Sequence, residues 1–140
     1  DLVTRNSQNR ALIIKILAQA KALAETLGVE LRIISAIEIP AILSDLDLVD
    51  PIRYTREHRA ELLPHLKSLA KAHDLPEKLF VTKRGPADKV ICSYAARVRA
   101  QIVVIGTVAR QGLSAAVVGN TAEEVLQHLR TDILALKADD

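Results

Sequence analysis

Apolar residues recur at helical spacing early in the chain. Leu12, Ile13, Ile16, Leu17, Ala20, Leu23, Ala24 and Leu27 trace one face, with Lys15, Gln19 and Lys21 on the others. Ser7 serves as an N-cap and Gly28 as a C′ stop, so a helix is expected between them. Residues 29–37 read as a strand, and Pro40 ends it. Residues 41–51 hold Ser44, Asp45, Asp47 and Asp50 among aliphatics and read as a loop, with at most a short helical turn. A long helix follows over 52–72, in which Pro64 is expected to cause a kink or a break.

The rest alternates in the same way. Residues 78–83 read as a short strand, and Gly85-Pro86 opens a helix running through Val90, Ile91, Tyr94, Ala95 and Val98. The run from Gln101 to Ile105 reads as a buried strand. A last helix is expected over 121–129, and Ile133, Leu134, Ala135, Leu136 and Lys137 form a final strand. This alternation predicts an α/β fold: a doubly wound, mostly parallel sheet with helices on both faces and right-handed crossovers.

Composition narrows the class. The 140 residues suit one domain, 1–140, with a real core. Hydrophobic residues make up 49% and aromatics only 2%, so the core is aliphatic, as a helix-covered parallel sheet requires. A net charge of +2, with both signs interspersed, gives no nucleic-acid platform. No run approaches the roughly 18 apolar residues of a membrane span. The single cysteine, Cys92, rules out an internal disulfide and fits a reducing compartment, so the cytoplasm is expected. Methionine is absent throughout, and a processed or excised piece of a longer chain is expected.

The candidate chemistry lies after the strand ending at Ile105. Gly106-Thr107-Val108-Ala109-Arg110-Gln111-Gly112 precedes Gly119-Asn120-Thr121-Ala122-Glu123, giving strand, glycine-bearing loop and helix start. Such glycines let backbone approach a ligand, and a helix start presents free N–H groups to an anion. Tight loop exit and close helix packing explain the same glycines without a ligand.

These residues resemble the universal stress protein family, whose ATP-binding members carry G-x2-G-x9-G-[S/T] after the fourth strand. Gly106 and Gly119 take the first and third glycines. Ala109 replaces the second, and Asn120 stands where Ser or Thr is usual. The Gly-Asn-Thr-Ala-Glu run resembles the tandem, E-type members, in particular a C-terminal domain, and the likeness covers nearly the whole chain. It implies a five-stranded sheet whose first, central strand is absent here, since Asp1 to Thr4 match the residues just after it. An upstream apolar strand is therefore expected, because a gap at the centre of a sheet strands two rows of backbone groups.

The resemblance further implies a stress-response binding and sensing module with a degenerate phosphate loop. ATP, with magnesium, would be its cofactor. Asp1 and Ala36 would border the adenine, while Gly106, Ala109, Arg110, Gly119, Asn120 and Thr121 would face the phosphates. Arg110 adds a cation suited to an anion. The last strand, residues 133–137, would pair with a second copy or a sister domain. Alternatives are a slow ATP-hydrolysing enzyme and a non-binding structural half of a tandem protein.

No catalytic residue is expected. There is no G-x-S-x-G elbow, no lysine after the glycine loop and no G-x-G-x-x-G. Glu123 and Glu124 sit where a helix start favours negative charge. His58, His65 and His73 fall about 10 Å or more apart along one helix, too far to share a metal. Cys92 reads as a small core residue, and Arg53, Arg56 and Arg59, interleaved with Glu57 and Glu61, as a solvated face.

Overall fold

A computed structural model gives the structure and describes residues 7–107 and 120–137. The element order is α1 (Ser7–Leu27), β1 (Ile33–Ile37), α2 (Ala41–Asp45), α3 (Pro51–Ala72), β2 (Phe80–Arg84), α4 (Ala87–Val98), β3 (Ile102–Thr107), α5 (Asn120–His128) and β4 (Asp132–Lys137). The expected alternation of helix and strand is present.

The described strands form two parallel pairs. β1 lies beside β2, from Ile33 opposite Phe80 to Ile37 opposite Arg84. β3 lies beside β4, from Ile102 opposite Asp132 to Thr107 opposite Lys137. Thr131 fixes the start of the second pair by donating its hydroxyl to the carbonyls of Ala100 and Gln101, at 2.8 and 2.9 Å.

Both pairs run the same way. α1 hands the chain to the start of β1, so its N-terminal half lies at the carboxyl end of that strand. That same half meets the carboxyl ends of the other pair: Leu12 and Ile16 lie against Gly106, and Lys15 Nζ donates to the Lys137 carbonyl at 3.1 Å. The pairs are therefore two pieces of one parallel sheet. Among the described residues no strand joins them, and an apolar slot of about 580 Å³ separates β1 from β3.

The core is aliphatic, as composition requires. Ile13 and Leu17 of α1 pack on Ile33 of β1, with Leu69, Leu75, Leu79 and Phe80 around them. Lys21 ties α1 to the end of α3 by donating to the His73 carbonyl at 2.9 Å. α4 and α5 pack on each other and reach β1 and β3, forming the second helical layer.

Several boundaries move. β1 starts at Ile33 rather than Val29, and β2 at Phe80, after a short 3-10 turn over Glu77–Leu79. Residues 41–45 are helical. Pro64 neither breaks nor splits α3. It lies on the exposed side with Ala60, whose carbonyl loses its helical N–H partner but meets water. α3 starts on an N-cap, Asp50, whose carboxylate accepts from the Ile52 N–H at 3.0 Å.

Candidate functional site

In a parallel sheet, ligands settle beyond the carboxyl ends of the strands, where helices begin. Here that crest carries Ile37, the Arg84–Gly85 turn, Gly106 and Thr107, and Lys137. α5 follows β3 and precedes the parallel β4, so its first residues, Asn120 and Thr121, start at the same level. The Gly85 N–H donates to the Ile37 carbonyl at 3.0 Å and ties the first two strand ends together. Gly85 has φ +140, a backbone conformation that favours glycine.

Gly106 is the last residue but one of β3, not the first residue of a loop. A β-carbon there would lie 2.7 Å from Ile16 Cδ1 and 3.0 Å from Leu12 Cδ2. Its lack of a side chain is thus explained by α1, which crosses β3 at that point; this is the packing alternative for the glycine. Thr107 next to it donates its hydroxyl to the Leu136 carbonyl at 3.2 Å, closing the end of the second pair.

The other expected site residues divide. Ala36 is half-buried near the end of β1, opposite Lys83 in β2. Thr121 is exposed in the first turn of α5, beside the buried Ala122. Asn120 opens α5, though its side chain lies outside the described residues. Asp1, Ala109, Arg110 and Gly119 lie outside them too. The structure therefore brings Ala36, Gly106, Asn120 and Thr121 to one end of the sheet.

Two cations at the crest escaped the sequence reading. Lys83 and Arg84 are exposed at the carboxyl end of β2, in register with Ala36 and Ile37. Their signal was a basic pair just before Gly85-Pro86, legible only once that strand is known to run on through Arg84.

The remaining polar groups have local explanations. His58 stacks on Tyr54 with ring centroids 3.9 Å apart, and its Nδ1 lies 3.0 Å from the Tyr54 carbonyl. Arg53 and Glu57 form an exposed ion pair at 2.8 Å, one helical turn apart; the hydrogen bond and charge of the arginine pull the carboxyl below its ordinary range. Arg59, exposed like Arg53 and Arg56, also donates to the Thr82 carbonyl at 3.3 Å. Burial pushes the Cys92 thiol up, which suits a packed side chain. Among the described residues no group of His, Cys, Asp and Glu could hold a metal, and no helix is long and apolar enough to cross a membrane.

Comparison with known proteins agrees with this architecture. The Universal stress protein family matches residues 14–137. Universal stress protein E of Salmonella typhi is 35% identical over 143 residues, covering 100% of this chain and 45% of the relative. A functionally unknown protein from Pseudomonas aeruginosa PAO1 has a crystal structure matching with a TM-score of 0.77 at 31% identity, over 100% of this chain and 46% of that one. A universal stress protein solved in complex with cAMP shares the fold, with a TM-score of 0.54 at 18% identity, over 96% of this chain and 93% of its own. The chain thus spans about half the length of the E-type relatives it matches. It belongs to the universal stress protein family.

Proposed function

We propose that this domain is a cytoplasmic binding and sensing module that holds a nucleotide at the crest and pairs with another domain of its kind along β4. The observation that carries the reading is the convergence of the strand ends with the start of α5. Backbone N–H groups there point outward at the positive end of a helix dipole, and Lys83 and Arg84 add positive charge. A fold neighbour in complex with cAMP lends support from nucleotide chemistry. The glycine spacing from 106 to 119 matches the family's phosphate-loop pattern, from which Ala109 and Asn120 depart.

Pairing rests on a different feature. β4 is the outer strand of its pair, and Ile133, Leu134 and Leu136 stay only half-buried. An apolar outer strand of this kind invites a partner strand.

Isothermal titration with ATP, with and without magnesium, tests the nucleotide reading. Heat of binding without phosphate release is expected. Release of phosphate would make the domain a hydrolase, and silence at millimolar ATP would make it a structural half. Ala109→Gly should tighten binding by relieving the backbone at the second glycine position. An unchanged affinity would mean the loop is not a weakened cradle.

A further inference from the structure

The most exposed large apolar side chains among the described residues, Ile42, Leu46, Leu48 and Ile52, fall within one short stretch that leads from β1 into α3. Ile42 and Leu46 lie one turn apart on α2, a helix that buries none of its residues. Between Arg32 and Arg53 the chain carries Glu38, Asp45, Asp47 and Asp50 and no base. This corner is therefore an apolar knob with an acidic rim. At 63–71% exposure, its apolar side chains present roughly 400 Å², as much as the largest apolar patch of an ordinary monomer, and patches of that size mark interaction sites.

α3 carries the opposite arrangement. Ile52, Arg56, Arg59, Leu63 and Lys67 succeed one another at helical spacing on its exposed side, so the charges along that stripe are all positive. Toward the other end of the stripe, Leu63, Leu66 and Phe80 line a hollow of about 90 Å³, with Lys67 and Glu77 beside them. The hollow lies about 17 Å from Ile52 along the helix. Neither Asp45 nor Lys67 has an ion partner among the described residues.

An acidic apolar knob at one end and an apolar hollow beside a cation at the other make a surface complementary to itself. A two-fold axis crossing α3 near Arg59 sets two such helices antiparallel, and each knob then meets the other copy's hollow. Arg59, the cation nearest that axis, is drawn aside to the Thr82 carbonyl of β2. Two patches of this size bury on the order of 1,000 Å², the lower bound of a specific interface. α3 packs on β1 and β2, in the strand pair that does not contain β4, so this face is remote from the β4 edge.

We propose that the α2 corner and the outer stripe of α3 form an interface between two copies of this chain, with Leu46 seated in the partner's hollow and Asp45 beside Lys67 of the partner subunit. The contact does not depend on pairing along β4.

The test uses the 140-residue chain as two charge-reversed variants, Asp45→Lys and Lys67→Asp, both at exposed positions where the fold should tolerate the change. In a two-fold pair each variant alone sets like charges against each other twice, while a mixture of the two restores both attractions. Fluorescence anisotropy of one copy dyed at its N-terminus measures association up to about 100 µM. Wild type is expected to associate, each variant should bind itself about tenfold or more weakly, and the mixture should return to the wild-type affinity. Adding Leu46→Asp to both variants should erase that recovery. Equal association in every combination would place the contact elsewhere, along β4 or another edge, and a wild-type monomer at the highest concentration would leave the corner to a different protein. Either result overturns the proposal, as does a mixture that gains nothing over the variants alone.

Discussion

β1 and β3 border the same slot, yet they are buried in different ways. In β1 burial alternates: Ile33, Ser35 and Ile37 are 8%, 9% and 6% exposed, with half-buried residues between. In β3 every residue from Ile102 to Thr107 is half-buried and none is fully covered. The sequences would suggest the reverse emphasis, since Ile-Val-Val-Ile is the run expected of a strand covered on both faces. The contrast shows that a strand's residues declare the environment it was fitted for, while its burial declares how much of that environment is present.

The largest expected effect comes from identical deletions on the two strands. Ile33→Ala should cost about 3 kcal/mol, because the removed atoms leave a cavity in packed surroundings. Ile105→Ala should cost about half as much, because its site already opens on the slot. Urea unfolding measures both, and equal losses would break the contrast.

The glycines at the strand ends form the next pair. Gly85→Ala forces a side chain onto φ +140 and to 3.1 Å from Val90 Cγ2, and should cost about 2 kcal/mol. Gly106→Ala meets Ile16 Cδ1 at 2.7 Å and the buried Leu12 Cδ2 at 3.0 Å; both are ends of flexible side chains on an unstrained backbone, so about 1 kcal/mol is expected. Urea unfolding of the two variants measures both, and equal losses would mean that the side chains facing Gly106 cannot yield.

The smallest effect concerns Cys92, next to the slot-lining Ile91. Burial raises its thiol above the ordinary value of 9.0, with the carboxylate of Asp88 a second cause. A raised folded pKa contributes stability that is complete below the unfolded value and is lost as pH rises through the folded one. Alkylation by iodoacetamide at pH 8 should therefore be slower than that of an unstructured cysteine peptide, and should keep rising with pH after the peptide's rate has levelled off. Equal rates at pH 8 would mean that the thiol is not held by the fold.

Much of this organisation was legible in the residues. Helical periodicity placed α1, the apolar run 102–105 placed β3, and Gly28 stopped α1 with φ +64. Three things were not, for physical reasons. The ends of β1 and β2 depend on where partner strands begin, which single-strand propensity does not encode. Whether Pro64 breaks α3 or only bends it is not legible, because sequence alone does not say which side of α3 faces water. Gly106 was read as a loop glycine because the helix that presses on it, at Leu12 and Ile16, is some 90 residues away in the chain. Of the expected site residues, Ala36, Gly106, Asn120 and Thr121 lie at one end of the sheet, while the Lys83–Arg84 pair emerged only from the register of β2 with β1.

Residue-resolved amide hydrogen exchange along β1 tests the central claim most directly. With one edge of β1 paired to β2 and the other open to the slot, Ser35 and Ile37 should exchange slowly and Ile34 and Ala36 fast. Uniform protection across all four amides would mean that the second edge of β1 is already paired, and the account of two separate strand pairs among the described residues would fail.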